Sequence, residues 1–465
     1  MEQIARFVLR ASGSVVLFRL LAFDGLCMLP RQPFSWVLML VPGRVLYVYH
    51  KDTFHLFSWF NDADITPALL LSVYLTLLIL GGFKSEVLWG KRRLDKLFTI
   101  VLFVLSPLGW FHRYRSLTDI QGNMAKRVVE TFGNASHGDS VLPHAFSMEA
   151  AMLNTHGETR SIAPNLTRTF KRVVVKEDMV CRNGFLSFLP GENVVKQSEV
   201  KLRQGLLDLD VYFPHTNRFG TGKSPIVIFV HGGGWRTGDK AFLIINSHGG
   251  AGIPHTMLDL GFTIVAIRYR PICAGAFGQD MVQDISDSIS FIENNAVAWK
   301  ADPKNLIMWG ISAGGHLSLL VGSSKQFPNI KGIISFYAPT EILAKPIGER
   351  MSWYERIHHW LFFETVRPLC KDENDHECYA SLSPVSQVHK DSPPTLILHG
   401  ADDPIVPIEH ARKLGQALTR HGVKNVLLEI PCSTHNCDTL CSSPCSQAAL
   451  YAIERFLFSI LALDM

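Results

Sequence analysis

The sequence predicts an α/β protein whose mostly parallel sheet is preceded by an N-terminal helical membrane region. Four short apolar runs, at residues 225–230, 305–309, 394–399 and 425–430, read as buried strands. Helical patterns at residues 280–292 and 313–321 lie between these runs. A large excess of apolar residues before position 112 predicts the membrane region.

Composition limits the classes of function. The chain has 465 residues, which suits two or three structural units. Hydrophobic residues make up 47% and the mean hydropathy is +0.14, which is high for a purely soluble enzyme. The net charge of +4 is small for this length, and no basic segment is interleaved with aromatic residues, so nucleic acid is not an expected partner.

The strand predicted at residues 305–309 runs into a G-x-S-x-G motif, Gly310-Ile311-Ser312-Ala313-Gly314. A helical pattern follows directly, and strand, tight turn and helix is the context in which this motif exposes a nucleophilic serine. The serine occupies a strained turn that needs small neighbours, which the two glycines supply. The motif therefore predicts Ser312 as a nucleophile.

The strand predicted at residues 225–230 ends in a second glycine-rich motif, His231-Gly232-Gly233-Gly234-Trp235. It matches the HGGG loop that lies ahead of the nucleophile and donates backbone N–H groups to an oxyanion. The two motifs together predict attack of the serine on an acyl carbonyl, with an oxyanion hole formed by the N–H groups of Gly233, Gly234 and Ala313.

An acid and a base should follow the serine in that order. Asp402 and Asp403 both come just after the run at 394–399, and either carboxylate could orient an imidazole. His435 follows the last predicted strand and is the expected general base. Other histidines are expected to be structural: His231 shapes its loop, while His316 and His399 are packed.

Residues 170–465 resemble an α/β-hydrolase of the hormone-sensitive-lipase-like and BD-FAE-like esterase group. The resemblance is carried by residues 231–240, 264–270, 381–385 and 399–407. It implies the α/β-hydrolase fold and a Ser-Asp-His triad with no cofactor and no metal. It places the acid at Asp403, with Asp402 in reserve. Two departures are Ile311, where many members have Asp, and the cysteines Cys432 and Cys437 that flank His435.

A membrane-anchored hydrolase with these motifs resembles the isoprenylcysteine methylesterases, and residues 280–292 are similar to the helix that precedes the nucleophile in those enzymes. Kynurenine formamidase-like enzymes share the same architecture. The resemblance therefore defines the fold and the triad, and leaves the substrate open.

Residues 1–111 are predicted to hold two or three transmembrane helices. The 19 residues at 65–83 carry no charge and are long enough to span a bilayer. Residues 34–49 and 97–111 are shorter apolar stretches that either span or lie at the interface. Basic residues in 1–31 and 84–96 predict cytosolic segments, so three spans would place the hydrolase on the luminal side of an endomembrane, in the endoplasmic reticulum or Golgi. If 34–49 does not span, the sidedness depends on the N-terminus.

Residues 112–169 read as a linker or a partly ordered cover. Sequons at Asn134 and Asn165 agree with a luminal domain. Within the predicted catalytic domain, residues 341–380 form an insert rich in aromatic residues, which suits either a cap over the acyl pocket or simple packing.

Eight of the nine cysteines lie after residue 170. In a luminal domain, disulfides are the expected use, including one between Cys370 and Cys378. A zinc site among Cys432, Cys437, Cys441 and Cys445, or free thiols in a cytosolic domain, are the alternatives.

These observations predict a membrane-anchored serine hydrolase that cleaves carboxylic esters, with an apolar or lipid-linked small molecule as substrate. A prenylcysteine methyl ester is one candidate. The alternatives are a formamidase or amidase on the same triad, acyl transfer to an alcohol, and a hydrolase-like binding domain without activity.

Overall fold

The structure, a computed structural model, describes residues 124, 126–133, 166–172, 206–214, 219, 222–241, 243, 252–342, 365–372, 374–403, 405–431, 433–438 and 444–461. The predicted membrane region and the asparagines of both sequons, Asn134 and Asn165, lie outside these residues. Among the helices that are described, none combines the length and the apolar character that crossing a membrane requires.

The strands of the described chain form one eight-stranded sheet in the order β1-β2-β4-β3-β5-β6-β7-β8. The strands are β1 Leu166–Arg172, β2 Leu206–Tyr212, β3 Ser224–Val230, β4 Thr263–Ile267, β5 Ala301–Ile311, β6 Ile330–Phe336, β7 Thr395–Gly400 and β8 Asn425–Ile430. From β4 to β8 every neighbouring pair is parallel, whereas β2 is antiparallel to both β1 and β4. The prediction of a mostly parallel sheet is confirmed.

Helices cover both faces of the sheet. They are α1 Ile253–Asp259, α2 Gly278–Asn295, α3 Ala313–Gly322, α4 His376–Ser381, α5 Pro384–Gln387, α6 Glu409–Arg420 and α7 Pro444–Leu461. On one face Ile289 of α2, Leu317 of α3 and Leu414 of α6 pack in one core. On the other face Met257 of α1 and Phe456 of α7 pack in a second core.

The continuous apolar sequence of β3 follows from this arrangement. All seven of its residues are buried, because a strand in the middle of a sheet covered on both faces has no side facing water. Its side chains alternate between the two cores: Ile226 and Ile228 join the first, and Val227 and Phe229 join the second.

The sheet unit begins earlier than the predicted boundary at residue 170, which falls inside β1. Residues 126–132 are helical, and Met124, Val128 and Phe132 are buried at a spacing of four, which forms an apolar stripe on one helix face. The ring of Phe132 packs edge-on against Phe456 of α7 with centroids 5.0 Å apart. Residues 126–132 therefore pack on the sheet unit through the contact of Phe132 with α7.

The predicted insert at 341–380 is described at its ends, and its aromatic residues between 353 and 363 lie outside the described residues. Val366, Leu369 and Tyr379 join the first core. A disulfide joins Cys370 to Cys378, as expected. The C-terminal part of the insert is thus fixed to the face of the sheet that carries α3.

Candidate active site

The turn between β5 and α3 carries Ser312. Its backbone has φ 51° and ψ −122°, a conformation that non-glycine residues rarely adopt and that concentrates at functional sites. The Ser312 N–H donates to the carbonyl oxygen of Phe336 at 2.9 Å, so the end of β6 holds the turn in place. The strand, turn and helix predicted around Ser312 are all present.

Gly310 and Gly314 are required by close backbone approach. A Cβ atom at Gly310 would overlap the carbonyl oxygen of Gly314. A Cβ atom at Gly314 would overlap the carbonyl oxygens of Val230 and His231. Gly310 therefore allows α3 to start close against the end of β5, and Gly314 allows the nucleophile turn to lie against the end of β3 and the loop that follows it.

His435 lies in the loop after β8 and contacts both other predicted triad residues. Its Nδ1 is 2.6 Å from Oδ2 of Asp403, and its Nε2 is 2.9 Å from Oγ of Ser312. The carboxylate can only accept, so Nδ1 carries the proton and Nε2 presents a lone pair to the serine hydroxyl. This is the tautomer that a general base for Ser312 needs.

Asp403 lies in the loop after β7 and is almost fully buried. Its Oδ1 accepts hydrogen bonds from the N–H groups of Ile405 at 2.8 Å and Val406 at 3.0 Å. Burial raises the pKa of this carboxyl, but the attraction of His435 and the hydrogen bonds from His399 and His435 outweigh burial and hold the pKa well below its usual range. Asp403 is therefore ionised at neutral pH.

The two adjacent aspartates are separated by their surroundings. Asp402 is exposed, and its N–H donates to the carbonyl oxygen of Ser433. Asp403 is the one that contacts His435. The structure thus favours the residue that the family resemblance selected.

His399 takes a part in the site that the sequence did not indicate. Its Nε2 lies 2.8 Å from the carbonyl oxygen of Val406 and 3.3 Å from Oδ2 of Asp403. A nitrogen that faces two acceptors must carry a proton, so His399 donates to the same oxygen of the acid, Oδ2, that His435 contacts. Its position at the end of β7 was visible in the sequence, but no motif connects it to the acid.

The loop after β3 lies against the nucleophile turn and carries two of the three predicted oxyanion donors, Gly233 and Gly234. A Cβ atom at Gly232 would lie 3.1 Å from the carbonyl oxygen of Ile311 and 3.2 Å from Cβ of Ser312. Gly233 and Gly234 have φ angles of 122° and 58°, which favour glycine. Ala313 is the first residue of α3, so its N–H has no partner within the helix.

Ion pairs hold the far end of this loop. Lys240 Nζ lies 2.5 Å from Oδ1 of Asp210 and 3.6 Å from Oδ2 of Asp208, both on β2. Arg268, which follows β4, pairs with Asp208 and also with Asp239 of the loop. These contacts connect the loop to two strands and limit its freedom.

Two buried histidines shape the surroundings of the loop, as expected. The His231 ring stacks on Tyr269 with centroids 4.3 Å apart, and burial lowers its pKa to about 4. His316 accepts a hydrogen bond from Trp235 Nε1 and contacts the carbonyl oxygen of Leu382 through Nε2 at 2.7 Å. Burial lowers the pKa of His316 to about 4 as well, so both rings are neutral and structural at neutral pH.

Two further residues near His435 were missed by the sequence reasoning. The ring of Tyr337 lies 4.6 Å from the imidazole, and its hydroxyl donates to Oδ1 of Asp438 at 2.7 Å. Tyr337 directly follows β6, and Asp438 comes three residues after His435. An acidic residue so close to the base was the one sequence signal that could have drawn attention to the pair.

Two of the four cysteines after β8, Cys437 and Cys445, form a disulfide. This bond removes two of the four thiols from the zinc alternative. Within the described ranges, no group of histidine, cysteine or acidic side chains is arranged to hold a metal ion. Cys432 and Cys441 lie outside those ranges.

Part of the chain is similar to known esterases. Residues 209–418 match the BD-FAE family model. Probable carboxylic ester hydrolase LipM of Mycobacterium tuberculosis is 25% identical over 260 residues, covering 52% of this chain and 56% of that protein. The isoprenylcysteine alpha-carbonyl methylesterase ICME of Arabidopsis thaliana is 26% identical over 240 residues, covering 49% of this chain and 53% of that protein. The apo form of Thermogutta terrifontis esterase 2 is 21% identical, with a TM-score of 0.45, and covers 57% of this chain and 94% of that chain.

The sheet order and the family match over residues 209–418 are consistent with an α/β-hydrolase fold. The resemblance to this group that the sequence motifs indicated is confirmed. The match ends at residue 418, ahead of the loop that carries His435. The chain spans a little over half the length of each of these two curated relatives.

Proposed function

We propose that this protein hydrolyses carboxylic esters through Ser312, His435 and Asp403. The observation that carries the proposal is the continuous hydrogen-bonded relay from the Ser312 hydroxyl through the imidazole to a buried carboxylate. The names of the curated relatives, which include carboxylic ester hydrolases and methylesterases, support the same reaction class.

The acylation step uses each of these groups once. Ser312 Oγ attacks the ester carbonyl carbon while its proton moves to His435 Nε2. The resulting imidazolium is stabilised by the Asp403 carboxylate. When the tetrahedral intermediate collapses, the bond to the alcohol oxygen breaks and the imidazolium gives its proton to that oxygen. The acyl group remains on Ser312 as an ester.

Deacylation repeats the sequence with water. His435 takes a proton from water, the hydroxide attacks the acyl carbon, and the proton returns to Ser312 Oγ as the carboxylic acid leaves. In both steps negative charge develops on the carbonyl oxygen. The N–H groups of Gly233, Gly234 and Ala313 are the proposed donors to it, and each such donor contributes about 3–4 kcal/mol to stabilising the transition state.

The proposed substrate is an apolar or lipid-linked ester, with a prenylcysteine methyl ester as one candidate. Support comes from the apolar segments in residues 1–111, which would hold the enzyme at a membrane, and from the methylesterase among the relatives. The proposed location is an endomembrane with the catalytic domain on the luminal side. The charge pattern around the apolar segments and the two sequons support this placement.

A fluorophosphonate serine probe tests the mechanism directly. The probe should label the full chain purified in detergent, and Ser312→Ala should abolish labelling while circular dichroism and thermal unfolding stay unchanged. Labelling of the alanine variant would show that the nucleophile is a residue other than Ser312. Absence of labelling in a well-folded wild type, with detergent and then with lipid vesicles, would favour a binding domain without activity.

Substrate class is tested on the same preparation. We expect acyl esters to be cleaved faster than matched amides, and a prenylcysteine methyl ester to be cleaved faster than cysteine methyl ester without the prenyl chain. Preference for amides would instead support the formamidase alternative. Acyl transfer would appear as a new ester when a long-chain alcohol is added.

A further inference from the structure

We propose that Tyr337 and Asp438 form a buried pair that positions the imidazole of His435 for proton transfer. The proposal rests on the function proposed above. It assigns a role to two residues that belong neither to the triad nor to the oxyanion loop, and that no sequence motif indicated.

The geometry links three elements of the site. Tyr337 leaves the end of β6 with a φ of 37°, an unusual value for an aromatic residue, and its N–H donates to the carbonyl oxygen of Leu398 on β7 at 2.7 Å. This backbone conformation turns the ring toward His435, where the centroids are 4.6 Å apart at 57°. The ring thus covers the imidazole on a side that Asp403 and Ser312 leave open.

Asp438 fixes the far end of the tyrosine ring. Its Oδ1 accepts the hydroxyl of Tyr337 at 2.7 Å, and both side chains are buried. A buried tyrosine hydroxyl needs a partner, so the carboxyl determines where the ring can lie. Burial raises the pKa of the Asp438 carboxyl, against the hydrogen bond from Tyr337 and the attraction of His435.

The backbone of Asp438 is itself restrained. The Ser446 hydroxyl donates to the carbonyl oxygen of Asp438 at 3.0 Å, and the neighbouring Cys437 is bonded to Cys445. Both ties lead to the start of α7. His435 is only three residues away from this anchored point, so the loop that carries the base is held at its C-terminal side.

A relay of two hydrogen bonds works only if the imidazole faces both partners at once. Asp403 fixes Nδ1, but one hydrogen bond leaves the ring free to tilt about it. The Tyr337 ring limits that tilt and keeps Nε2 directed at Ser312 Oγ. This is a positioning role, because neither Tyr337 nor Asp438 contacts the reacting atoms.

The test measures the second-order rate of fluorophosphonate labelling in the full chain. Tyr337→Phe keeps the ring and removes its anchor, and Asp438→Ala removes the acceptor. We expect each to lower the labelling rate about fivefold to tenfold, which corresponds to a lost hydrogen bond of about 1 kcal/mol or slightly more. Ester hydrolysis should show the loss in kcat, with KM changed by less than about twofold.

The labelling rates of two further variants distinguish a positioning role from general destabilisation of the fold. Asp438→Asn retains an acceptor oxygen for the tyrosine hydroxyl and should recover most of the rate. The double variant Tyr337→Phe with Asp438→Ala should be no slower than Asp438→Ala alone, because the two residues act as one unit.

Tyr379→Phe is the matched control. This tyrosine is also fully buried, and its hydroxyl donates to the carbonyl oxygen of Arg367 at 2.9 Å, away from His435. It should label at the wild-type rate. Rates are compared at a temperature where thermal unfolding shows each variant folded, and Tyr337→Phe decides the question if Asp438→Ala does not fold.

Wild-type rates in Tyr337→Phe and Asp438→Ala would overturn the positioning role while leaving the proposed function intact. An equal loss in Tyr379→Phe would also overturn it, since any buried tyrosine hydroxyl would then have the same effect. Wild-type protein that is folded but not labelled would instead refute the function on which the proposal rests.

Discussion

Replacing Asp403 by asparagine should nearly abolish turnover, although the shape of the side chain barely changes. The expected cause is a change of tautomer in His435, whose ring proton would move from Nδ1 to Nε2. Oδ1 of Asp403 accepts two backbone N–H groups, from Ile405 and Val406. An asparagine must place its only carbonyl oxygen there, since its amide nitrogen cannot accept. The NH2 group then faces His435 Nδ1.

A donor at this position forces Nδ1 to become an acceptor, so the proton moves to Nε2. The Nε2 atom, 2.9 Å from Ser312 Oγ, can then no longer accept the serine proton. Loss of the correct tautomer in a serine-histidine-aspartate triad lowers kcat by about 10⁴. We expect a loss of this size for Asp403→Asn, with KM nearly unchanged.

Asp402→Asn is the matched control, because it makes the same chemical change at the adjacent exposed residue. Its kcat should stay within about twofold of wild type, as is usual for a surface substitution. The assay is hydrolysis of a short acyl ester together with fluorophosphonate labelling. If Asp402→Asn proved the more damaging variant, or if Asp403→Asn kept more than a tenth of the activity, the tautomer argument would be refuted.

Two further predictions concern stability, measured as the free energy of unfolding in urea. Gly314→Ala should lower the free energy of unfolding by about 3 kcal/mol and abolish labelling, because the new Cβ would overlap backbone atoms of Val230 and His231. Gly415→Ala in α6 is the control: the nearest atom to its Cβ would be 3.5 Å away, so the free energy of unfolding should rise by about 0.5–1 kcal/mol. A stable, labelled Gly314→Ala would show that the two loops can separate. His231 and His316 have pKa values lowered from 6.5 to about 4, so the unfolded chain binds protons in this window that the folded chain does not. The free energy of unfolding should therefore fall as pH drops from 6.5 to 4, by up to about 3 kcal/mol per histidine, and His316→Phe should show a shallower dependence; equal slopes would contradict the assignment.

The sheet and the motif residues could be predicted because their signals are local. A buried strand needs only a short apolar run, and the G-x-S-x-G turn needs small residues within two positions of Ser312. The order of serine, acid and base along the chain then directed attention to the loops after β7 and β8. All these features can be recognised without knowing which strands are neighbours.

Other parts of the site depend on contacts that local patterns do not encode. The choice between Asp402 and Asp403 depends on the backbone N–H groups that cap one of them, and two adjacent carboxylates look alike in a sequence. Tyr337 and Asp438 are 101 residues apart. They meet because Tyr337 follows β6, Asp438 lies in the loop after β8, and these parallel strands end on the same side of the sheet. The first strand, β1, has no sequence motif and is defined by its pairing with β2, so its start at Leu166 cannot be read from a local pattern.

The relay from Ser312 to His435 joins residues 123 positions apart in the chain. The strands that precede the proposed nucleophile, acid and base are β5, β7 and β8, which follow one another toward the edge of the sheet, with β6 between β5 and β7. Contacts of such long range form late in folding, because the intervening chain must be ordered first. Active-site labelling during refolding should therefore rise with the last kinetic phase, which makes the probe a reporter of completed folding as well as of chemistry.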